Sequence, residues 1–311
     1  MSLDRLIEKI EKTQNPSVAG LDPKLAYVPE FIKEKCFDKY GETLKGAAKA
    51  LLEFNKGLID ALYDIVPAVK PQAAYYEMYG PAGVKTLYKT QEYARSKGMY
   101  VITDGKRNDI GTTMEAYAAA HLGKVQVGSQ TYEPFLGDAL TVNGYLGSDG
   151  IKPLVATCRD NDKGIFVLVK TSNPSSGELQ DKKIDGVTIY ETMGHMCEEW
   201  GKELPGVYGY SGVGAVVGAT YPEQLKYLRE KLPATFFLIP GYGAQGAGAK
   251  DIAGAFDKNG LGGIVNSSRG IMCAYQKEKC DEHEFAEAAR REAIRMRDEI
   301  MGIVGKIVIN K

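Results

Sequence analysis

The chain has 311 residues, enough for one large α/β barrel or two modest domains, and its 44% hydrophobic and 25% charged content is ordinary for a soluble globular protein. The formal net charge of −1 gives no electrostatic reason to expect nucleic acid or an anionic membrane as a partner, so any phosphate site must be local. The five cysteines show no CxxC spacing and the three histidines lie far apart, so neither a disulfide framework nor a metal site is expected.

The N-terminal segment predicts an amphipathic helix rather than a targeting signal. Its apolar residues recur at helical spacing among charged neighbours: Leu3, Leu6, Ile7 and Ile10. Because no segment is apolar enough for a signal peptide or a membrane span, we expect a cytoplasmic protein without membrane contact.

Short β-branched runs then alternate with longer helical segments. Eight runs are candidate strands: 17–21, 68–70, 100–103, 139–142, 165–169, 213–217, 236–239 and 263–265. Helix-like segments lie between most of them, including 84–97, 188–203 and 221–231. This alternation predicts a parallel sheet, and eight units predict a (β/α)8 TIM barrel spanning residues 1–311 as a single domain. An open doubly wound sheet is the alternative, but the first turn lacks the GxGxxG pattern typical of that fold.

Two connections have local signals of their own. Thr112 and Glu115 fit a capping box, with Thr112 as the N-cap of a helix that continues through 116–122. The segment 171–186 is rich in Ser, Asn, Pro, Gly and charge, and it predicts a loop long enough to be functional.

The third predicted strand leads directly into the charged stretch 103–111. Residues two apart on an extended chain point to one face, so Asp104 and Lys106 are expected to project together, with Asp109 following in the loop. An ammonium beside carboxylates stays protonated, and such a lysine can deliver a proton to an atom that becomes strongly basic. A solvated surface loop explains the same charges equally well from this stretch alone.

The other strand ends favour the chemical interpretation, because barrel enzymes carry their chemistry at the C-terminal ends of the strands. Asp22 and Lys70 follow the first two predicted strands. Together with Asp104, Lys106 and Asp109 they form an alternating Lys/Asp set around one barrel mouth, which a solvated surface does not explain.

The last two strand ends predict a phosphate site. A glycine-rich loop at 241–248 allows backbone N–H groups to approach an anion, and Arg269 offers a planar fork of donors. Barrels that bind phosphorylated substrates commonly hold the phosphate between these two loops. The alternative is that the glycines only turn the chain and Arg269 pairs with a surface carboxylate.

Taken together, these motifs resemble orotidine 5′-phosphate decarboxylase in its longer bacterial (type 2) form. The matching segments follow that family's order: 20–23, 69–72, 104–111, 171–174, 240–246 and 268–270. The resemblance implies conversion of orotidine 5′-phosphate (OMP) to uridine 5′-phosphate (UMP) and carbon dioxide in pyrimidine biosynthesis, without a cofactor or metal ion.

The resemblance also implies roles for the charged set. Lys106 would donate the proton to C6 of the pyrimidine, and Asp104 would lie beside the substrate carboxylate. Lys70 would join this network and contact the ribose, and Asp22 would hold a ribose hydroxyl.

Five further residues receive roles in the same way. Ser172 would face the pyrimidine, Gln245 would bridge pyrimidine and phosphate, and Arg269 would bind the phosphate. Asp109 and Thr113 would reach the ribose of the neighbouring subunit, which implies a homodimer.

The sequence departs from the family pattern in two places. Tyr75 and Tyr76 stand where phenylalanines are common, and the segment 25–56 is longer than in the compact form of the enzyme. Neither departure is expected to touch the motif residues.

Two other functions stay open at this point. A related decarboxylase of 3-keto sugar phosphates shares the DxKxxD signature but uses magnesium; Arg107, the Pro71-Gln72 pair and the 171–174 loop favour the pyrimidine branch. A catalytically silent nucleotide-binding barrel would be marked by loss of Lys106 or Asp104, and both are present.

Overall fold

Eight parallel strands form a closed barrel in the computed structural model, which describes residues 2–243 and 246–309. Neighbouring strands follow the sequence order, and the last pairs with the first. The strands are β1 (Ser17–Leu21), β2 (Ala68–Pro71), β3 (Tyr100–Arg107), β4 (Ala139–Val142), β5 (Gly164–Lys170), β6 (Val213–Val217), β7 (Phe237–Ile239) and β8 (Gly263–Ser267). The predicted (β/α)8 fold is therefore confirmed, and the open doubly wound sheet is excluded.

Helices cover the outside of the barrel, which explains why the strands are rich in Val, Ile and Ala and are buried on both faces. The helices are α1 (Ser2–Thr13), α2 (Glu30–Tyr40), α3 (Leu44–Leu62), α4 (Ala74–Glu77), α5 (Gly80–Ser96), α6 (Gly111–His121), α7 (Ser148–Asn161), α8 (Ile189–Gly201), α9 (Pro222–Lys231), α10 (Ala249–Ile252), α11 (Arg269–Met272), α12 (Ala274–Glu278) and α13 (Phe285–Val304). None of the helices in the described ranges combines the length and the apolar run that crossing a bilayer requires.

Shorter elements lie between these helices and strands. Single 3-10 turns occur at Leu25–Tyr27, Pro174–Glu178, Ala253–Ala255 and Glu282–Glu284. Two small antiparallel hairpins pair Val125–Val127 with Gln130–Tyr132 and Lys183–Ile184 with Val187–Thr188. The segment 171–186 is thus a folded loop with a helical turn and a hairpin strand of its own.

Helix α1 closes the N-terminal end of the barrel. Its apolar face joins the barrel interior in one core cluster with Phe166, Leu238 and Ile264. At its start, Ser2 Oγ lies 2.6 Å from the hydroxyl of Tyr100, the first residue of β3. The C-terminal ends of the strands are left as the open end of the barrel.

The segment 25–56 contributes the turn at Leu25–Tyr27, helix α2 and most of α3. Helix α2 packs against α3, and its Ile32 and Cys36 are buried in the core between α3 and the barrel. This segment is therefore an additional layer over the α3 side of the barrel.

The predicted capping box at Thr112 is wrong. Helix α6 begins at Gly111 with Ile110 as its N-cap and no side-chain cap, so Thr112 already has a helical conformation and cannot serve as one. A capping box does occur at the start of α8, where Thr188 accepts from the N–H of Glu191 and Glu191 accepts from the N–H of Thr188.

Replacing Ile7 by alanine should test the role of α1 as the floor of the barrel. Ile7 is fully buried in the interior cluster, so I7A should lower the free energy of unfolding by about 3 kcal/mol through lost burial and an unfilled cavity. Urea denaturation measures the change. The matched control I303A, at a 41% exposed position of α13, should cost less than about 1 kcal/mol. Equal losses of unfolding free energy in I7A and I303A would contradict the close packing of α1 against the barrel interior.

Candidate active site

Asp104 lies at the centre of an ion-paired cluster at the open end of the barrel. The Nζ atom of Lys70 is 2.7 Å from its Oδ2, and the Nζ atom of Lys106 is 2.7 Å from its Oδ1. Asp22 Oδ1 lies 3.9 Å from Lys70 Nζ. Four of the predicted site residues, at the ends of β1, β2 and β3, thus meet as a chain of alternating charge.

Thr141 of β4 completes this cluster, and the sequence analysis missed it. Its hydroxyl donates to Asp104 Oδ1 at 2.8 Å and accepts from the backbone N–H of Lys106 at 3.0 Å. A threonine inside a β-branched run gives no signal beyond strand propensity. Only the pairing of β3 with β4 brings it to the carboxylate.

The backbone of Lys106 is not extended, contrary to the basis of the prediction. Lys106 has φ 46°, in the left-handed region, and the register between β3 and β4 shifts between Thr103 and Arg107. A bulge of this kind re-aims a side chain, and a non-glycine residue in this region is held only by its surroundings. Lys106 does project beside Asp104, but a bend in the strand brings it there.

The two buried members of the cluster keep their charges. Burial alone would raise the pKa of Asp104, but Lys70 and Lys106 outweigh it and hold the pKa of this carboxyl well below its usual range. Burial alone would lower the pKa of Lys70, but the carboxylates of Asp104 and Asp22 outweigh it and raise that pKa. Asp104 is 7% exposed and Lys70 is 4% exposed, whereas the side chain of Lys106 is 46% exposed. Lys106 is therefore the cation of the cluster that faces open space.

Two adjoining cavities open from the cluster and share Lys70, Asp104 and Pro240. The first, of about 420 Å³, has an apolar floor and a polar rim: Leu168, Val216 and Leu238 below, and Lys106, Thr141, Thr171, Ser172, Asn173 and Gln180 around. The second, of about 350 Å³, lies toward β1, β7 and β8 and includes Asp22 and Arg269. The first cavity is therefore the apolar end of the candidate site, and the second, which Lys24 and Arg269 line, is its cationic end.

The expectation that neither family departure touches the motif residues is wrong. Tyr75 lines the second cavity together with Asp22 and Lys70, and Tyr27, from the segment 25–56, lines it too. Tyr76 is fully buried instead, and its hydroxyl accepts from Asn55 at 2.9 Å. The Tyr76 hydroxyl also donates to the carbonyl of Leu21, within the first motif, at 3.3 Å.

The folded loop 171–186 brings Ser172 to the first cavity. Gln180 holds the loop together, since it accepts from the N–H of Thr171 at 2.9 Å and donates to the Thr171 hydroxyl at 2.8 Å. Below the loop, the fully buried Lys170 donates to Asp181 at 2.6 Å. Lys170 is therefore a loop tether, and it does not line either cavity.

Arg269 begins the short helix α11 and lines the second cavity beside Asn266 and Gly241. A side chain at Gly20 would place its Cβ 1.9 Å from the Ser268 hydroxyl, so this glycine allows β1 to approach the segment that leads to Arg269. Gln245, the other predicted phosphate residue, lies outside the described residues.

Asp109 and Thr113 are not brought to the cavities of their own chain. Asp109 Oδ1 accepts from the N–H of Ile110 at 2.8 Å, and Thr113 is exposed on α6. Their predicted contribution to a neighbouring subunit therefore stays a prediction. Within residues 2–243 and 246–309, no three His, Cys, Asp or Glu side chains are grouped as metal ligands.

Comparison with known proteins identifies the family. Residues 42–281 match the model of the Orotidine 5′-phosphate decarboxylase / HUMPS family. The chain belongs to this family. It is 44% identical to the orotidine 5′-phosphate decarboxylase of Rhodopirellula baltica over 94% of this chain and 96% of that protein. It is also 44% identical to that of Caldicellulosiruptor bescii, over 88% of this chain and 90% of that one.

Solved structures of this decarboxylase family have the same fold. The structure of Leishmania donovani OMP decarboxylase superposes with a TM-score of 0.75 at 29% identity, covering 97% of this chain and 98% of that chain. The resemblance found in the sequence is therefore confirmed at the level of family and fold, over nearly the whole chain.

Replacing Asp104 by asparagine should reveal the stabilising role of the buried ion pair. D104N leaves Lys70 buried without its main counter-ion, so the free energy of unfolding at pH 7 should fall by about 3 kcal/mol. D160N, at an exposed position of α7, is the matched control and should change it by less than about 0.5 kcal/mol.

The pH dependence of this loss follows from the direction of the pKa shift. Because the folded-state pKa of Asp104 is lowered, its contribution is present above the unfolded pKa of about 4 and is lost as the pH falls below it. The difference in the free energy of unfolding between wild type and D104N should therefore become smaller below about pH 4, as measured by urea denaturation. If this difference in the free energy of unfolding did not depend on pH, the ion pair would not be its cause.

Proposed function

We propose that this protein is an orotidine 5′-phosphate decarboxylase that converts OMP to UMP and carbon dioxide in pyrimidine biosynthesis. The observation that carries the proposal is the pairing of Lys106 with an ionised, buried Asp104 at the edge of a cavity with an apolar floor. Membership of the decarboxylase family and 44% identity to proteins of that name support it.

The demand of the reaction explains why such a pair is useful. Loss of carbon dioxide leaves an electron pair in an sp2 orbital at C6, and the pyrimidine ring cannot delocalise it. The barrier must therefore be lowered by charges that are in place before the reaction and act more strongly on the transition state than on the substrate. The ammonium of Lys106 would supply such a charge, since it lines the cavity with the apolar floor, and its proton would then form the new C6–H bond. The neutral amine left behind recovers a proton from water.

Asp104 would contribute in a second way. Its carboxylate stays ionised and would stand beside the carboxylate of bound OMP, so two negative charges would be held close together. The repulsion disappears as neutral carbon dioxide departs. Lys70 and Thr141 hold Asp104 in this position, since each binds one of its two oxygens.

The two adjoining cavities suit the two ends of the substrate. The pyrimidine would lie on the apolar floor of Leu168, Val216 and Leu238 with Ser172 at its polar edge. The ribose would meet Asp22 and Lys70, and the phosphate would lie near Arg269. Gln245 would bridge pyrimidine and phosphate. Contacts to the remote phosphate then supply binding energy that orients the reacting carboxylate.

The site would be completed by a second subunit, with Asp109 and Thr113 reaching the neighbour's ribose. Exposed apolar side chains near Asp109 support such a contact: Ile110 follows it in the chain, and a Cβ at Gly150 would lie 3.0 Å from the Asp109 carbonyl and 3.7 Å from the Cβ of the exposed Leu146. Apolar side chains grouped on a surface are typical of an interaction site.

Replacing Lys106 by alanine tests the catalytic assignment. K106A should lower kcat by about a thousandfold or more, because both the positive charge and the proton source are lost. The ultraviolet absorbance change on conversion of OMP to UMP measures turnover, and calorimetry should still detect UMP binding. The matched control K89A, at a surface ion pair with Glu92, should keep wild-type turnover. Substantial turnover by K106A would overturn the assignment, and loss of wild-type turnover in EDTA would favour the magnesium-dependent branch.

Mixing two inactive variants tests the shared site. K106A and D109A should each be inactive, but a refolded equimolar mixture should regain about a quarter of the wild-type sites, because one site of each heterodimer has both residues intact. The control mixture of K106A with D104N should stay inactive, since these residues serve the same subunit. Failure of K106A and D109A to complement, with heterodimers present, would assign Asp109 to its own subunit.

A further inference from the structure

Tyr242 is the one large side chain among the described residues of the glycine-rich loop 241–248. Three glycines of this loop have left-handed backbones, with φ 102° at Gly241, 70° at Gly243 and 97° at Gly246. Glycine gives a loop freedom that must be removed before the loop can hold a ligand in one geometry. The loop pairs with itself, since the Gly243 N–H donates to the Ala247 carbonyl at 2.8 Å. That bond shapes the loop but does not fix it to the barrel.

The side chain of Tyr242 connects the loop to the C-terminal helix α13. Tyr242 is 5% exposed, and its hydroxyl donates to Glu299 Oε2 at 2.6 Å. Burial, reinforced by Glu299, raises the pKa of Tyr242 above its ordinary value, so the hydroxyl stays a neutral donor. The bond to Tyr242 in turn lowers the pKa of Glu299 and favours its charged form.

Glu299 is itself held in place from the other side. Its second oxygen pairs with Arg295, and Arg295 binds Glu292 through two bonds of 2.7 Å and 2.6 Å. A carboxylate clamped in this way is a fixed acceptor, so the position of the Tyr242 hydroxyl is set by a helix rather than by another loop.

Tyr242 also lies next to the cationic end of the candidate active site. It lines the second cavity with Arg269, and together with Arg269 and Arg295 it also lines a further cavity of about 520 Å³. The side chain therefore bridges the space between α13 and the cavity in which the phosphate would lie.

We propose that Tyr242 is a positioning residue for phosphate recognition: its hydrogen bond to Glu299 fixes the loop backbone at Gly241 and Gly243, which line cavities together with Arg269, in the geometry that binds the substrate phosphate. This inference rests on the proposed function. The residue acts through the loop backbone and does not touch the reacting atoms. Removing the hydroxyl should therefore weaken binding of a phosphorylated ligand and leave binding of the matching nucleoside unchanged.

The experiment compares the Kd values of UMP and uridine by calorimetry for wild type and Y242F. The Kd of UMP should rise about tenfold in Y242F, the order expected for a lost hydrogen bond to a charged group, while that of uridine should change less than about twofold. The matched control is Y227F, which removes an equivalent 2.6 Å bond from Tyr227 to Glu191 between α9 and α8. It should leave both Kd values unchanged. R269A removes the cationic side chain that is proposed to bind the phosphate, so its loss of UMP affinity sets the upper limit of the effect.

Variants of Glu299 reach the same bond from the helix side. E299A should reproduce the loss of UMP affinity, and E299Q, which keeps an oxygen acceptor for the hydroxyl, should restore most of it. The double variant Y242F/E299A should be no weaker than E299A alone, because both changes break one bond. If Y242F does not fold, E299A and E299Q carry the comparison.

The outcomes separate this inference from the proposed function. The positioning role is overturned if Y242F binds UMP and uridine more weakly by the same factor, or if Y242F and E299A both keep the wild-type preference for UMP over uridine. In either case, decarboxylation of OMP by the wild-type protein leaves the proposed function standing. Failure of the wild-type protein to decarboxylate OMP overturns the function instead.

Discussion

The carboxylate of Asp104 stays charged inside the protein because a separate ammonium group neutralises each of its two oxygens. Such an arrangement is favourable only when every partner is in place, since an unpaired buried charge costs several kcal/mol. Lys106 lies on β3 with Asp104, and Lys70 and Thr141 come from β2 and β4 on either side, so the pairing of these three strands assembles the cluster. The two lysines differ in their environment and therefore in their role. Lys70 is buried and serves as the permanent counter-ion, whereas Lys106 is bent out of the strand into the cavity.

The parts of the site differ in how rigidly they are held. The charged cluster belongs to strand ends inside a closed barrel, where backbone pairing fixes each side chain. The two loops that complete the candidate site lack that support and depend on hydrogen bonds to side chains outside them; the 171–186 loop, for example, accepts bonds from Thr220 and Tyr221. Lys170 ties the 171–186 loop through Asp181, and Tyr242 ties the glycine-rich loop through Glu299. Each tether lets a loop rich in small and polar residues take up one geometry.

Local pattern was enough to predict the barrel, because alternating apolar runs and helical segments leave few other ways to bury both faces of a sheet. It was also enough to bring Asp22, Lys70, Asp104 and Lys106 together, since parallel strands end on one side. The bend at Lys106 could not be predicted, because it depends on the register between β3 and β4. Thr141 looked like any strand residue, and Glu299, 57 positions from Tyr242, looked like one of many helix carboxylates. The cap assigned to Thr112 failed because the T-x-x-E pattern does not by itself fix where a helix begins: α6 starts at Gly111, one residue before Thr112, whereas the same pattern does cap α8 at Thr188.

The position of α1 has a consequence for the route by which small molecules enter and leave the barrel. With Leu6 and Ile7 filling the end beneath the strands, the interior is a blind-ended well rather than a tunnel. In the proposed reaction, carbon dioxide released beside Asp104 would have no exit on the far side. It would leave through the same opening that admits the nucleotide, so any ordering of the loops that shuts water out would also delay the escape of the gas. Reopening of the barrel mouth would then be a step that both products share.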